Sequence, residues 1–211
     1  MELRIFLFVS ICFLTPTKIS ATSVPKNSSY SDAEILVNLL VAPRVTNATE
    51  QMKLLYPFIT SSGYLREPPI TLGLDLNPDC NNKKVITNEK LETLYSQMAV
   101  FKKPAYFAFS FEDGRGPLHN SLANVLEMTS YFVNDTVSYV TRQMALKNLS
   151  VPALPKIPEA KLDERTRLYL SALVQSNSVT LTITDDIVKK YRNYVIMYVL
   201  YDAIKEIGPC M

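Results

Sequence analysis

Residues 184–210, TDDIVKKYRNYVIMYVLYDAIKEIGPC, spell one long helix with a written start and stop. Thr184 is a good N-cap residue type, and Asp185 and Asp186 put negative charge in the first turn, where the helix dipole favours it. Gly208 can take the left-handed conformation that closes a helix, and Pro209 cannot continue one. The span is about twice the usual globular helix length. Its apolar positions (Ile187, Val188, Tyr191, Tyr194, Val195, Ile196, Tyr198, Val199, Tyr201 and Ile204) cover most of its girth. A narrow charged strip remains: Lys189, Lys190, Arg192, Asp202 and Lys205. A helix apolar nearly all round has to be surrounded by others, so this segment is predicted to close a helical bundle.

The first residues read as a secretory leader. Glu2 and Arg4 precede an apolar run over 5–14, and small residues follow, so cleavage near Ala21 leaves a mature domain of 22–211. The run is too short for a bilayer, and no later stretch reaches the about 18 apolar residues of a membrane span. Cys12 leaves with the leader, so two cysteines remain, Cys80 and Cys210. In an oxidising compartment a Cys80–Cys210 disulfide is the default, against two free or intermolecular thiols. Sequons stand at Asn27, Asn47, Asn134 and Asn148. A glycan needs solvent, so Asn134 is predicted to mark the outward side of its helix. The net charge of +2 offers no electrostatic basis for binding nucleic acid.

Five glycines are too few for a secreted all-β fold, whereas thirteen prolines punctuate the chain between periodic segments. The first helix is predicted from Ser31, with Glu34 completing a capping box and Ile35, Leu36, Leu39 and Leu40 forming a stripe. Pro43 interrupts it, and the pattern resumes at Met52, Leu55 and Tyr56 as one kinked helix or two pieces. A long connection over 64–87 follows. The second helix starts near Asn88 and runs through Leu91, Leu94, Tyr95, Met98 and Phe101 until Pro104 kinks or ends it. The aromatic run Tyr106, Phe107, Phe109, Phe111 is ambiguous. The third helix opens at Pro117 and carries Leu118, Leu122, Val125, Leu126, Thr129, Phe132, Val133, Val137, Val140 and Met144 on one face, to about Leu146. A second long connection over 148–184 holds a short helix at 162–174 and an alternating, extended piece at Val179, Leu181 and Ile183.

Four long helical regions joined long–short–long predict an all-α, up-up-down-down four-helix bundle with two crossover connections. A short link makes neighbours antiparallel, while a link of about 24 residues can travel the length of a bundle.

Catalysis has little to build on. His119 is the only histidine, which rules out a histidine triad or a multi-histidine zinc site; it reads as a solvent-facing helix residue. No phosphate-binding glycine loop is present, and the carboxylates are scattered. No catalytic residue, metal site or cofactor is expected. The tyrosine stripe of the closing helix reads as core, or in part as an interface, where tyrosine is enriched.

Three stretches carry a family resemblance: NEKLETLYSQMAVFKKPAYF, YFVNDTVSYVTRQMALKNLSVPALPKIP and DDIVKKYRNYVIMYVLYDAIKEI. With the order of helices and the sequons, they resemble the second, third and fourth helices of the interleukin-6 family of long-chain cytokines. The similarity is greatest to the branch of leukaemia inhibitory factor, ciliary neurotrophic factor and cardiotrophin. In that branch a Phe-x-x-Lys pair opens the fourth helix and engages the leukaemia-inhibitory-factor-type receptor. The matching stretch here is 187–190, in which Lys190 matches and Ile187 replaces the aromatic. A family disulfide joins the first long connection to the fourth helix, and Cys80–Cys210 would be its counterpart.

The resemblance implies a secreted, glycosylated, monomeric cytokine. It would bring class I receptors of the interleukin-6 family together, namely the shared signal-transducing subunit and a leukaemia-inhibitory-factor-type receptor, and so activate JAK/STAT signalling. Ile187 and Lys190 would be receptor-binding. The runner-up is a secreted helical carrier whose aromatic run 106–111 and tyrosine stripe line a cavity for a hydrophobic ligand.

Overall fold

Proline and glycine place most of the helix boundaries. The computed structural model describes residues 37–61, 63–74, 87–154, 156–176 and 179–207, and every regular element among them is helical. The leader at 1–21, the capping box at Ser31 and Glu34, Asn27, Cys80, Cys210 and the Gly208–Pro209 stop lie outside the described residues.

A wide, π-helical turn, Val37–Val41, leads into α1, Ala42–Leu55. Pro43 falls at the join of the π-helical turn and α1, and the chain is helical on both sides of it, so the region passes Pro43 as one run. Tyr56, held off helical geometry before Pro57, breaks the run (φ −117°, ψ 81°). Two short helices follow, α2, Pro57–Ser61, and α3, Gly63–Arg66. The second region also divides, into α4, Thr87–Ala99, and α5, Lys102–Glu112. The break falls at Val100 and Phe101, ahead of Pro104, which occupies the first turn of α5. The aromatic run is therefore helical.

Gly114 (φ 73°) and Gly116 (φ 110°) make the tight link to α6, Pro117–Leu146. Its 30 residues extend about 45 Å. The helix closes on a left-handed Asn148 (φ 55°): the Asn148 N–H donates to Ala145 O at 3.1 Å and the Leu149 N–H to Met144 O at 2.9 Å. Those are the two bonds of a Schellman cap, with asparagine in the place glycine usually takes. The extra helix of the second connection, α7, spans Glu159–Gln175. The closing helix, α8, is Asp185–Ile207.

Helix α1 packs on α6 and α8; α4 and α5 pack on the same two; α7 lies on α8. Met52, Leu94, Met98, Leu126, Val133, Val140, Ile196 and Leu200 are fully buried between them. Residues 191–197 of α8 are buried without interruption, as a helix enclosed by neighbours requires.

Several expectations need correction. Arg192, assigned above to the narrow charged strip, is completely buried beneath α7. Leu39 and Leu118, assigned to apolar stripes, are 66% and 72% exposed. The run 179–183 forms no strand; its alternation instead turns Val179, Leu181 and Ile183 towards the bundle and Thr180 and Thr182 to solvent. His119 is largely covered rather than solvent-facing.

Candidate functional site

One end of the bundle gathers the end of α1, the end of α5, the start of α6 and the start of α8. At its centre is Glu112, the last residue of α5, with no exposed surface. The Tyr56 hydroxyl donates to one carboxyl oxygen. The His119 ring nitrogen Nδ1 lies 2.6 Å from the other. Against an ionised carboxylate, which only accepts, Nδ1 is the donor of this contact. The Tyr56 and His119 rings lie side by side at 6.5 Å, and Phe58 stacks on Tyr56 at 6.1 Å. Burial, then the neighbouring Glu112 charge and hydrogen bond, push the Tyr56 hydroxyl well above its ordinary pKa.

Outside this buried knot lies a charged rim on α8. Thr184 caps the helix as expected: its Oγ1 accepts from the Ile187 N–H at 3.2 Å, and its carbonyl accepts from the Val188 N–H at 3.0 Å. Asp186 then faces two cations. Arg115, from the link between α5 and α6, donates to Oδ1 at 2.5 Å; Lys190, one turn on, reaches Oδ2 at 2.6 Å. Arg115 also covers the Phe111 ring at 4.2 Å. Lys190 Nζ stands 5.4 Å over the Tyr56 ring, tying rim to knot. Beside it, Asp185 pairs with Arg167 of α7.

Partial burial raises the Asp186 carboxyl pKa, but the hydrogen bonds and charges of Lys190 and Arg115 outweigh it and hold the group below its ordinary value. A carboxyl depressed in the folded state adds stability that is complete above its unfolded pKa and lost as pH falls through the folded one. Asp186→Asn is therefore expected to lower Tm at neutral pH. The gap to the parent should narrow below about pH 4, where the unfolded carboxyl protonates. Melting curves from pH 7 to pH 2 check this; a constant gap would show that Asp186 acts through packing alone.

Both residues singled out for receptor binding are on this rim. Ile187 is half-buried against the core, and Lys190 keeps about a fifth of its side chain exposed. Of the sequons, Asn47 and Asn148 are exposed, whereas Asn134 is half-covered. The hydroxyl residues completing the Asn47 and Asn134 sequons, Thr49 and Thr136, are buried; Ser150, completing the third, is exposed.

The knot escaped the sequence because Tyr56 and Glu112 are far apart in the chain. A second buried link was missed for the same reason. Arg192 Nη1 donates to Glu159 at 2.6 Å and Asp163 at 2.8 Å, while Nε and Nη2 both donate to Asn193 Oδ1. Arg165 of α7 donates to the Leu72 carbonyl in the first connection, against Gly73 (φ 74°), where any β-carbon would collide with the guanidinium. Helix α7 thus clasps the first connection with one arginine and covers α8 over another. Nearby, the buried Tyr194 hydroxyl donates to the Arg66 carbonyl, and burial pushes its pKa up to about 12.

Among the described residues no cluster of histidine, cysteine and carboxylate groups could hold a metal ion, and no helix is long and apolar enough to cross a membrane. The rim presents fixed charges around a rigid apolar base, which suits recognition. Comparison of the chain with protein-family models, with characterised proteins and with solved structures gave no match.

Proposed function

We propose that this chain is a secreted cytokine with the up-up-down-down arrangement of the interleukin-6 family. The observation that carries the reading is the meeting of helix ends. Tyr56 and Glu112 close the first two helical regions where His119 and Asp186 open the last two. Two regions finishing where two begin is what long–short–long connections demand of parallel first and second helices. The packing of α1 and of α4–α5 on both α6 and α8 fits the same ring.

On this reading the protein acts by bringing receptor chains together so that their associated kinases phosphorylate one another and then STAT proteins. One receptor, of the leukaemia-inhibitory-factor type, would engage the start of α8 at Ile187 and Lys190. The shared signal-transducing subunit would engage the outer faces of α1 and α6. There Arg44 covers Phe132 at 4.4 Å, and the neighbouring Met128 and Tyr131 are 43% and 60% exposed. Large apolar side chains exposed beside an arginine suit the centre of a protein interface. The carrier reading loses two of its cavity-lining tyrosines to packing. Tyr191 stacks on Tyr169 at 5.8 Å and Tyr194 is bonded to backbone.

The purified glycosylated protein is expected to trigger STAT phosphorylation in cells bearing these receptor chains. Silence across a receptor panel at micromolar dose would sink the proposal. Lys190→Ala should weaken binding to the leukaemia-inhibitory-factor-type receptor about tenfold or more, as for an interface anchor, while leaving Tm within a few degrees. Equal loss of Tm and of binding would make Lys190 a structural residue.

A further inference from the structure

The break between α4 and α5 leaves a cleft of about 490 Å³, closed on its other side by the proline-rich run after α6. Its size falls in the range of small-ligand sites. Tyr95, Val100, Pro104, Leu154 and Ile157 give it an apolar lining. Lys102 and Lys103 from α5 and Lys156 from the facing run also line it, and no carboxylate does. All three lysines are exposed, and none is in an ion pair among the described residues.

The charge placement runs against the local rule. The first turn of α5 has no acidic residue and no side-chain cap, and two lysines stand where the helix dipole is already positive. Two ammonium groups therefore crowd the positive end of a helix, with a third ammonium opposite. Conflicts of this kind are expected where a site is held ready for a ligand. An anion at the mouth of the cleft would relieve all of these repulsions, and the apolar lining would receive a hydrocarbon body.

We propose that this cleft binds an amphiphilic anion, a single hydrocarbon chain ending in a carboxylate or phosphate, with Lys102, Lys103 and Lys156 around the head group and Tyr95, Leu154 and Ile157 along the chain. The site is separate from the charged rim of α8 and does not depend on the cytokine reading.

Isothermal titration of the full chain with dodecanoate and with dodecyl phosphate, both below their micelle concentrations, tests it. One saturable site is expected with at least one of the two, and their relative affinities identify the head group. The triple variant Lys102→Gln, Lys103→Gln, Lys156→Gln should bind at least tenfold more weakly without any fall in Tm, since the three side chains are exposed and their mutual repulsion is removed. Ile157→Asp should weaken binding similarly, whereas Lys53→Gln should not. Decanol and inorganic phosphate, each lacking one half of the ligand, should bind at least tenfold more weakly than the amphiphile. Absence of saturable binding, or binding indifferent to the three lysines, overturns the proposal. So does inorganic phosphate binding as tightly as the amphiphiles, which would leave a bare anion site. Tighter binding of a tetraglutamate peptide would replace it with an acidic protein partner.

Discussion

Replacing Arg192 by alanine is expected to destabilise the fold by about 3 kcal/mol, within the range for removing one partner of a buried ion pair. In a chain of this size that is a fall in Tm of about 6–12 °C. The origin of the loss can be reasoned out. Glu159 and Asp163 keep 40% and 24% of their side chains exposed, so water can recover them once the guanidinium is gone. Asn193 is fully buried and loses the donors that its Oδ1 now accepts. A space the size of an arginine side chain also opens between α7 and α8, and cavities carry their own cost. Arg192→Met, which fills most of that space, should therefore cost only about 1 kcal/mol. Arg192→Lys should fall between, because one ammonium cannot serve two carboxylates and an amide in the fork geometry of a guanidinium. Denaturant unfolding of the three variants checks the order. An alanine variant within about 0.5 kcal/mol of the parent would mean that the Arg192 link between α7 and α8 contributes no stability.

Local chemistry was legible and long-range pairing was not. Thr184 was readable as a cap because capping is decided within four residues. Pro117 and Leu146 were readable as the ends of α6 because the glycine turn and the three-and-four spacing lie in one stretch. The break at Phe101 was misplaced onto Pro104, since a proline in the first turn of a new helix looks, in sequence, like one ending the old helix. Arg192 was misread because helical spacing puts it on the charged strip while saying nothing of what lies against that strip. The signal was Glu159 and Asp163, four residues apart on one face of α7, a carboxylate pair waiting for a cation. The knot at Glu112 had no such signal. Its three members come from three different helical regions, and only the folded chain brings them together.

Glu112 is where the second large effect is expected. Glu112→Ala leaves the Tyr56 hydroxyl and the His119 N–H without their acceptor in a covered site, and each unsatisfied group costs about 1–3 kcal/mol. A total near 3 kcal/mol is expected, because His119 keeps a quarter of its side chain exposed and can turn to water whereas Tyr56 cannot. Tyr56→Phe removes one donor and leaves the carboxylate its other partner, so it should cost about 1 kcal/mol. The double variant should cost less than the two single losses together, since it no longer strands the tyrosine hydroxyl. The knot also underlies the rim: the Tyr56 ring that it holds is the surface over which Lys190 stands. If the chain binds receptors as proposed, Tyr56→Phe, which keeps that ring, should keep binding, while Glu112→Ala frees it and should weaken binding together with Tm. If binding instead follows Lys190 alone and is indifferent to Glu112, the knot serves the fold and the rim is rigid without it.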